Sequence, residues 1–181
     1  GESPAKANGR MLKVEQALQS ALNEVFFTNV LVLVEGIEDV AYTTTYLTLT
    51  ERWDEFRRLG CHLVPAGGKS SIAQPLAIAQ HLKIPTFVIF DSDGHSNLPS
   101  ANGDAVQEMK KKVNRTKHEK DNTTILKLCG IVSPDPFPVH TLWRPDVVMW
   151  KSEIEEVLRD DFGREEWTQV GNSVRANHGI D

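Results

Sequence analysis

The sequence predicts a parallel α/β sheet flanked by helices, and three observations carry that prediction. Val30-Leu31-Val32-Leu33-Val34 is continuously apolar and rich in β-branched residues, as expected of a strand buried on both faces. Thr86-Phe87-Val88-Ile89-Phe90 is a second run of the same length and character. Helical segments separate these runs from each other and from a short strand at Cys61–Pro65. Strand, helix, strand, helix, strand at this spacing implies right-handed crossovers between parallel strands.

The elements follow in order. Val14, Ala17, Leu18, Ala21, Leu22, Val25 and Phe26 give residues 10–27 the stripe of an amphipathic helix. After the first strand, Glu35-Gly36-Ile37-Glu38-Asp39 runs into a helix that reaches about Leu49. Trp53 to Leu59 is a shorter helix closed by Gly60. Cys61-His62-Leu63-Val64-Pro65 is the second strand, residues 66–71 a turn, and Ile72 to Leu82 a helix. Beyond the third strand the chain turns polar from His95 to Asp104. A long charged helix from Ala105 to Lys120 is then followed by a separate short one from Asn122 to Leu128. Pro134, Pro136 and Pro138 form a rigid connector. Val139–Leu142 and Val147–Trp150 are late strands split by Arg144-Pro145-Asp146, and a Glu-dense helix covers Lys151 to Asp161. The tail beyond Gly163 is weakly patterned, with Trp167 as its anchor. The expected organisation is an N-terminal helix packing on the domain (1–28), a catalytic core (29–150) and an acidic C-terminal helical segment (151–181).

A chain of 181 residues with 40% hydrophobic and 25% charged content is long enough to bury one real core. Its formal net charge of −5 argues against nucleic-acid binding by bulk electrostatics alone. It leaves room for a nuclease, because bound cations restore local attraction to phosphate. No apolar run is long enough to span a bilayer and no signal-peptide pattern is present, which sets the expectation of a cytoplasmic protein. Cys61 and Cys129 are expected to be buried free thiols. The chain is expected to be a piece of a longer protein.

The chemistry concentrates where strands end, the place where ligands collect in parallel α/β folds. Glu35 follows the first strand, Gly67-Gly68-Lys69 the second, and Asp91-Ser92-Asp93 the third. Alternation along an extended chain points Asp91 and Asp93 the same way and Ser92 the opposite way. Two acids leaving a buried strand together repel unless a cation or shared proton lies between them, which suggests a hard divalent metal. Asp39, four residues after Glu35, returns beside it on a helix, whereas Glu38 points to solvent. The Gly-Gly-Lys turn is no Walker A loop, because Leu63 stands where that motif needs glycine. It brings one ammonium near the acids. The basic run on the charged helix, including Lys110, Lys111 and Arg115, is either a solvated face or a surface that tracks phosphates. Of the histidines only His95, beside Asp93-Gly94, draws attention.

Taken together, Leu33-Val34-Glu35-Gly36-Ile37-Glu38-Asp39, Val64-Pro65-Ala66-Gly67-Gly68-Lys69 and Val88-Ile89-Phe90-Asp91-Ser92-Asp93 closely resemble a Toprim domain. Asp39 and the Gly-Gly-Lys turn look most like the OLD (overcoming lysogenization defect) family of nucleases, and more like its class 2. The resemblance implies a Rossmann-like, mostly parallel sheet flanked by helices, with additional C-terminal helical elements. It also implies a metal-dependent DNA endonuclease of the kind found in phage defence. The implied cofactors are two Mg2+ ions, or Mn2+ or Ca2+, held by Glu35, Asp39, Asp91, Asp93 and a Glu from the acidic helix, Glu155 or Glu153. Lys69 joins the catalytic set and Ser92 supports it. DNA is the implied partner. An N-terminal ABC-type ATPase domain is implied for the full-length protein, with oligomerisation through it, and a helicase is a further implied partner.

The third strand also resembles the first motif of haloacid-dehalogenase-type phosphatases, which would make Asp91 the nucleophile, Asp93 the acid/base and Mg2+ the cofactor. That family places the motif on its first core strand, whereas here two strands precede it. A noncatalytic interaction domain is the third alternative. With Tyr42 and Tyr46 on the helix after Asp39, no tyrosine stands beside the acids for topoisomerase-type covalent chemistry.

Overall fold

The computed structural model describes residues 28–94 and 104–179. The amphipathic stretch 10–27, with all of the expected 1–28 unit except Thr28, and His95 lie outside the described residues. The described chain forms a five-stranded sheet in the order β2-β1-β3-β5-β4. The strands are β1 (Val30–Val34), β2 (Cys61–Pro65), β3 (Thr86–Asp91), β4 (Leu142–Trp143) and β5 (Val147–Trp150). β1 pairs in parallel with β2 and β3, β3 pairs in parallel with β5, and only β4 runs antiparallel at the edge. The helices are α1 (Ile37–Leu49), α2 (Trp53–Arg58), α3 (Ala73–His81), α4 (Ala105–Leu128), α5 (Ile154–Phe162) and α6 (Arg164–His178). Among the described residues no helix is long and apolar enough to cross a membrane.

One face of the sheet carries the core. Leu31, Leu33, Val64, Val88, Phe90, Val147 and Met149 alternate along their strands with residues of the other face. They pack against Ile72, Leu76 and Ala79 from the α3 segment and Ile125 and Leu126 from α4. Full burial of a side chain such as Phe90 stabilises by about 1.5–3 kcal/mol, so this layer fixes the register of all four parallel strands. α1 and α2 lie against β1 and β2 and add nothing to that cluster, which places them on the opposite face. The chain steps outward from β1 to β2 and then returns past β1 to β3. The reversal puts the topological switch point at the carboxyl ends of β1 and β3, where Glu35 and Asp91 stand.

Several boundaries depart from expectation. α4 is one helix through Leu128 rather than two. Asp104 caps its start by accepting from the Gln107 amide at 2.8 Å. The residues that suggested a break, Asp121 and Asn122, are instead engaged with neighbouring loops. β4 holds Leu142–Trp143, not Val139–Leu142; Val139 is exposed and unpaired with β5, which needs only two partners before the tight turn closed by Arg144 N–H to Val147 O at 2.9 Å. α5 starts at Ile154, with Glu153 as its N-cap, because Ser152 is buried and Lys151 is tied to the end of β3. The tail beyond Gly163 is not unpatterned but a fifteen-residue helix, α6, that packs on α5, with Trp167 edge-on to Phe162 at 6.3 Å. Cys61 and Cys129 are free but only half-buried, since both lie where an element meets its loop. Burial still pushes the Cys129 thiol up to about 12.

Candidate active site

Glu35 leaves β1 where the helix-leading loop begins. Its backbone carbonyl accepts the Gly68 N–H at 2.8 Å, and its carboxylate accepts from the Asp91 main chain. The other oxygen, Oε2, is buried with no hydrogen-bond partner. Burial raises the Glu35 pKa, with Lys69 opposing and Asp93 and Asp39 adding to the rise. An acceptor left buried without a donor is costly, and among the described residues it is the one carboxylate oxygen in that state.

Asp39 is buried and turns back on its own helix, its Oδ2 accepting the Gly36 N–H at 2.8 Å. It is therefore an N-terminal cap of α1 as well as a member of the acid group. Burial raises its pKa despite that bond. Asp91 ends β3 beside Glu35, and its Oδ1 accepts the Ile154 N–H at 3.1 Å, so the first turn of α5 points at it. Burial, then Asp39, Glu35 and Asp93 in turn, push the Asp91 carboxyl up to about 8.

Asp93 behaves differently. The strand stops at Asp91, and Asp93 has a left-handed backbone with φ 54°, so simple alternation does not set its direction. Its Oδ2 accepts from the Lys69 ammonium and lies 3.0 Å from His118 Nδ1. Lys69 is only 4% exposed. The turn that delivers it needs Gly68 at φ 115°, a conformation that side chains on Cβ oppose. Burial lowers the His118 pKa, with Asp93 pulling the other way.

His118 belongs to a set of which sequence reading singled out only Arg115. Arg115 Nη1 donates to the Gly94 carbonyl at 3.0 Å and its guanidinium lies 4.1 Å over the Phe137 ring. Asn122, fully buried, donates to the carbonyls of Ser92 at 2.8 Å and Pro136 at 2.7 Å. Asp121 accepts the Ser70 hydroxyl at 2.6 Å. Positions 115, 118 and 122 share one helical face, and that spacing was the only sequence signal available. It was hidden because the surrounding lysines make the helix look solvated throughout.

The remaining candidates have surroundings that the sequence did not show. Arg115 is not on a free phosphate-tracking surface, since it braces the loop after β3. Lys111 pairs with Glu108 at 3.3 Å, while Lys110 is exposed. Glu155 is tied to Arg159 one turn on, which leaves Glu153 as the α5 acid whose charge interacts with Asp93. Ser92 faces away from the acids as alternation predicts, but its hydroxyl donates to the Lys151 carbonyl at 2.6 Å, stitching β3 to the end of β5. Its support for the site is mechanical.

The donor set suits a hard divalent cation: carboxylates only, with an orphaned Glu35 oxygen and an Asp91 driven toward its protonated form by burial and then by its acidic neighbours. As they stand, these oxygens do not surround one point. Among the described residues no group of three or more His, Cys, Asp or Glu is arranged to hold an ion. Lys69 instead supplies the positive charge, at Asp93.

A family model described as overcoming lysogenization defect protein-like, Toprim domain, matches residues 26–93, which run from the approach to β1 through Asp93. No curated protein matches the chain. Residues 26–93 thus match the Toprim domain of OLD-like proteins, and the five-stranded, mostly parallel sheet with flanking helices is consistent with that fold. Toprim domains are nucleic-acid-processing modules that bind divalent metals such as Mg2+.

Proposed function

We propose that this Toprim domain is a metal-dependent DNA endonuclease, the nuclease region of an OLD-type protein. The observation that carries the reading is the Glu35–Asp91 pair at the carboxyl ends of β1 and β3, where one carboxylate oxygen is buried without a donor and the adjacent acid is pushed up to about 8.

Glu35, Asp39 and Asp91 would hold the metal, with Asp93 and Glu153 completing a five-carboxylate set whose charge suits two Mg2+ or Mn2+ ions. When bound, such ions acidify a water and neutralise charge on a phosphodiester. The chain's own groups do the rest. The Asp91 carboxyl, pushed up to about 8 by burial and by its acidic neighbours, would release its proton to make room for a cation. Asp39 keeps the entrance of α1 in place through Gly36 while presenting its charge to Asp91. Lys69, held in the same cluster by the Gly67-Gly68 turn, is the ammonium within reach of a phosphate oxygen or a developing negative charge. Lys110, exposed on α4, offers a weak contact to the DNA backbone.

The test is cleavage of supercoiled plasmid by the purified chain with Mg2+ or Mn2+, stopped by EDTA. Glu35→Gln and Asp91→Asn should each lose at least about 100-fold in rate while keeping the wild-type circular dichroism spectrum. Plasmid left intact across metals and protein concentrations sinks the reading for this chain. Hydrolysis of para-nitrophenyl phosphate in place of plasmid would favour the phosphatase alternative.

A further inference from the structure

Asp93 occupies a left-handed turn that a β-carbon-bearing residue adopts at some cost, so something must hold it there. The loop around it is braced from α4 at three levels: Arg115 to the Gly94 carbonyl, His118 to the Asp93 side chain, and Asn122 to the Ser92 carbonyl. Of these only His118 touches a carboxylate of the candidate site. Its Nδ1 lies 3.0 Å from Asp93 Oδ2 and 3.4 Å from Lys69 Nζ. A carboxylate only accepts and an ammonium only donates, so one ring nitrogen cannot serve both. The shorter contact assigns the proton to Nδ1, donating to Asp93. Lys69 then bonds the same oxygen from the other loop. The two donors are unequal tethers. The imidazole sits on a helix whose flanking residues are anchored, whereas the lysine is a long chain that can follow a phosphate.

We propose that His118 is a positioning residue for Asp93, its Nδ1–H fixing the carboxylate's orientation and thereby the affinity of the site for a divalent cation. The inference rests on Asp93 being a metal ligand, as the endonuclease reading has it. Partners that orient a ligand carboxylate are typically worth about 10- to 100-fold in metal affinity.

The experiment uses the full chain without DNA. Mn2+ binding is measured by electron paramagnetic resonance for wild type, His118→Ala and His118→Asn, whose amide nitrogen occupies the same place on Cγ as Nδ1. His118→Ala should weaken binding by about 10-fold, and His118→Asn should recover most of it. In the metal-free protein, long-range 15N–1H correlation should find His118 as the Nδ1–H tautomer, and Asp93→Asn should remove that preference. Wild-type affinity in His118→Ala, no recovery in His118→Asn, or an Nε2–H tautomer would each overturn the proposal. If the alanine variant does not fold, the asparagine variant and the tautomer still decide it. Wild type that binds no Mn2+ would overturn the metal reading itself, and this role with it. Mn2+ bound equally by wild type and a folded His118→Ala defeats only the positioning role.

Discussion

Asp91 and Asp93 are separated by one serine yet occupy opposite electrostatic regimes. Asp91 stands with Glu35, half-buried like itself, and with the buried Asp39, and is pushed up to about 8. Asp93 stands between an ammonium and an imidazole that share its Oδ2. The same problem, negative charge held out of water, is met by protonation at one pole and by paired donors at the other. The acid pole is where a cation would add most, because Lys69 only partly offsets its charge. The compensated pole is where the fold has already supplied a positive charge.

The strongest way to break the comparison is to remove the compensation. Lys69→Met takes from Asp93 its ammonium partner in a largely buried setting. It should cost about 3–5 kcal/mol in the metal-free protein, read by urea unfolding, with part regained on adding Mg2+. An unchanged midpoint would mean that the Asp93 pole needs no lysine.

The acid pole predicts a pH dependence of opposite character to the usual carboxylate. Asp91 holds a proton when folded up to about pH 8, whereas an unfolded aspartate loses it near 3.8. Its contribution is therefore fully present below about pH 4 and is lost as pH rises through about 8. Glu35, Asp39 and Glu153 are shifted in the same direction. The melting temperature of the metal-free protein should fall across this window, and Asp91→Asn should flatten the fall. A flat wild-type profile would show that the acid pole is not strained.

Smaller effects test the scaffold between the poles. Asn122→Ala deprives the Ser92 and Pro136 carbonyls of their donor and should cost about 1–3 kcal/mol by chemical denaturation. Lys110→Ala, on an exposed position, should change stability by less than about 0.5 kcal/mol and DNA affinity only slightly, with a shallower salt dependence in a binding titration.

The contrast also marks how far sequence carries. The family match covers β1 through Asp93 and therefore Glu35, Asp39, Lys69, Asp91 and Asp93, residues that announce themselves by following apolar runs. β2 and β5 have the bounds their apolar composition predicts. The second half was less legible for specific reasons. α4 continues through Asp121 and Asn122 because those side chains find partners on loops distant in sequence. α6 packs on α5 through contacts such as Trp167 with Phe162, which local patterning does not reveal.

By itself the sequence determined that there would be a buried parallel sheet and that acids would stand at the ends of its first and third strands. An apolar run must be buried, and a polar residue that ends it must surface at the rim. Only the tertiary structure decided how those acids are shared out. The strand order 2-1-3-5-4 sets β1 beside β3, and so Glu35 beside Asp91. The left-handed turn at Asp93 then swings the next acid to Lys69 and His118, whose distances in sequence are 24 and 25 residues on opposite sides. Spacing along a chain constrains which way a side chain can point. Which charge waits for it there is fixed by packing.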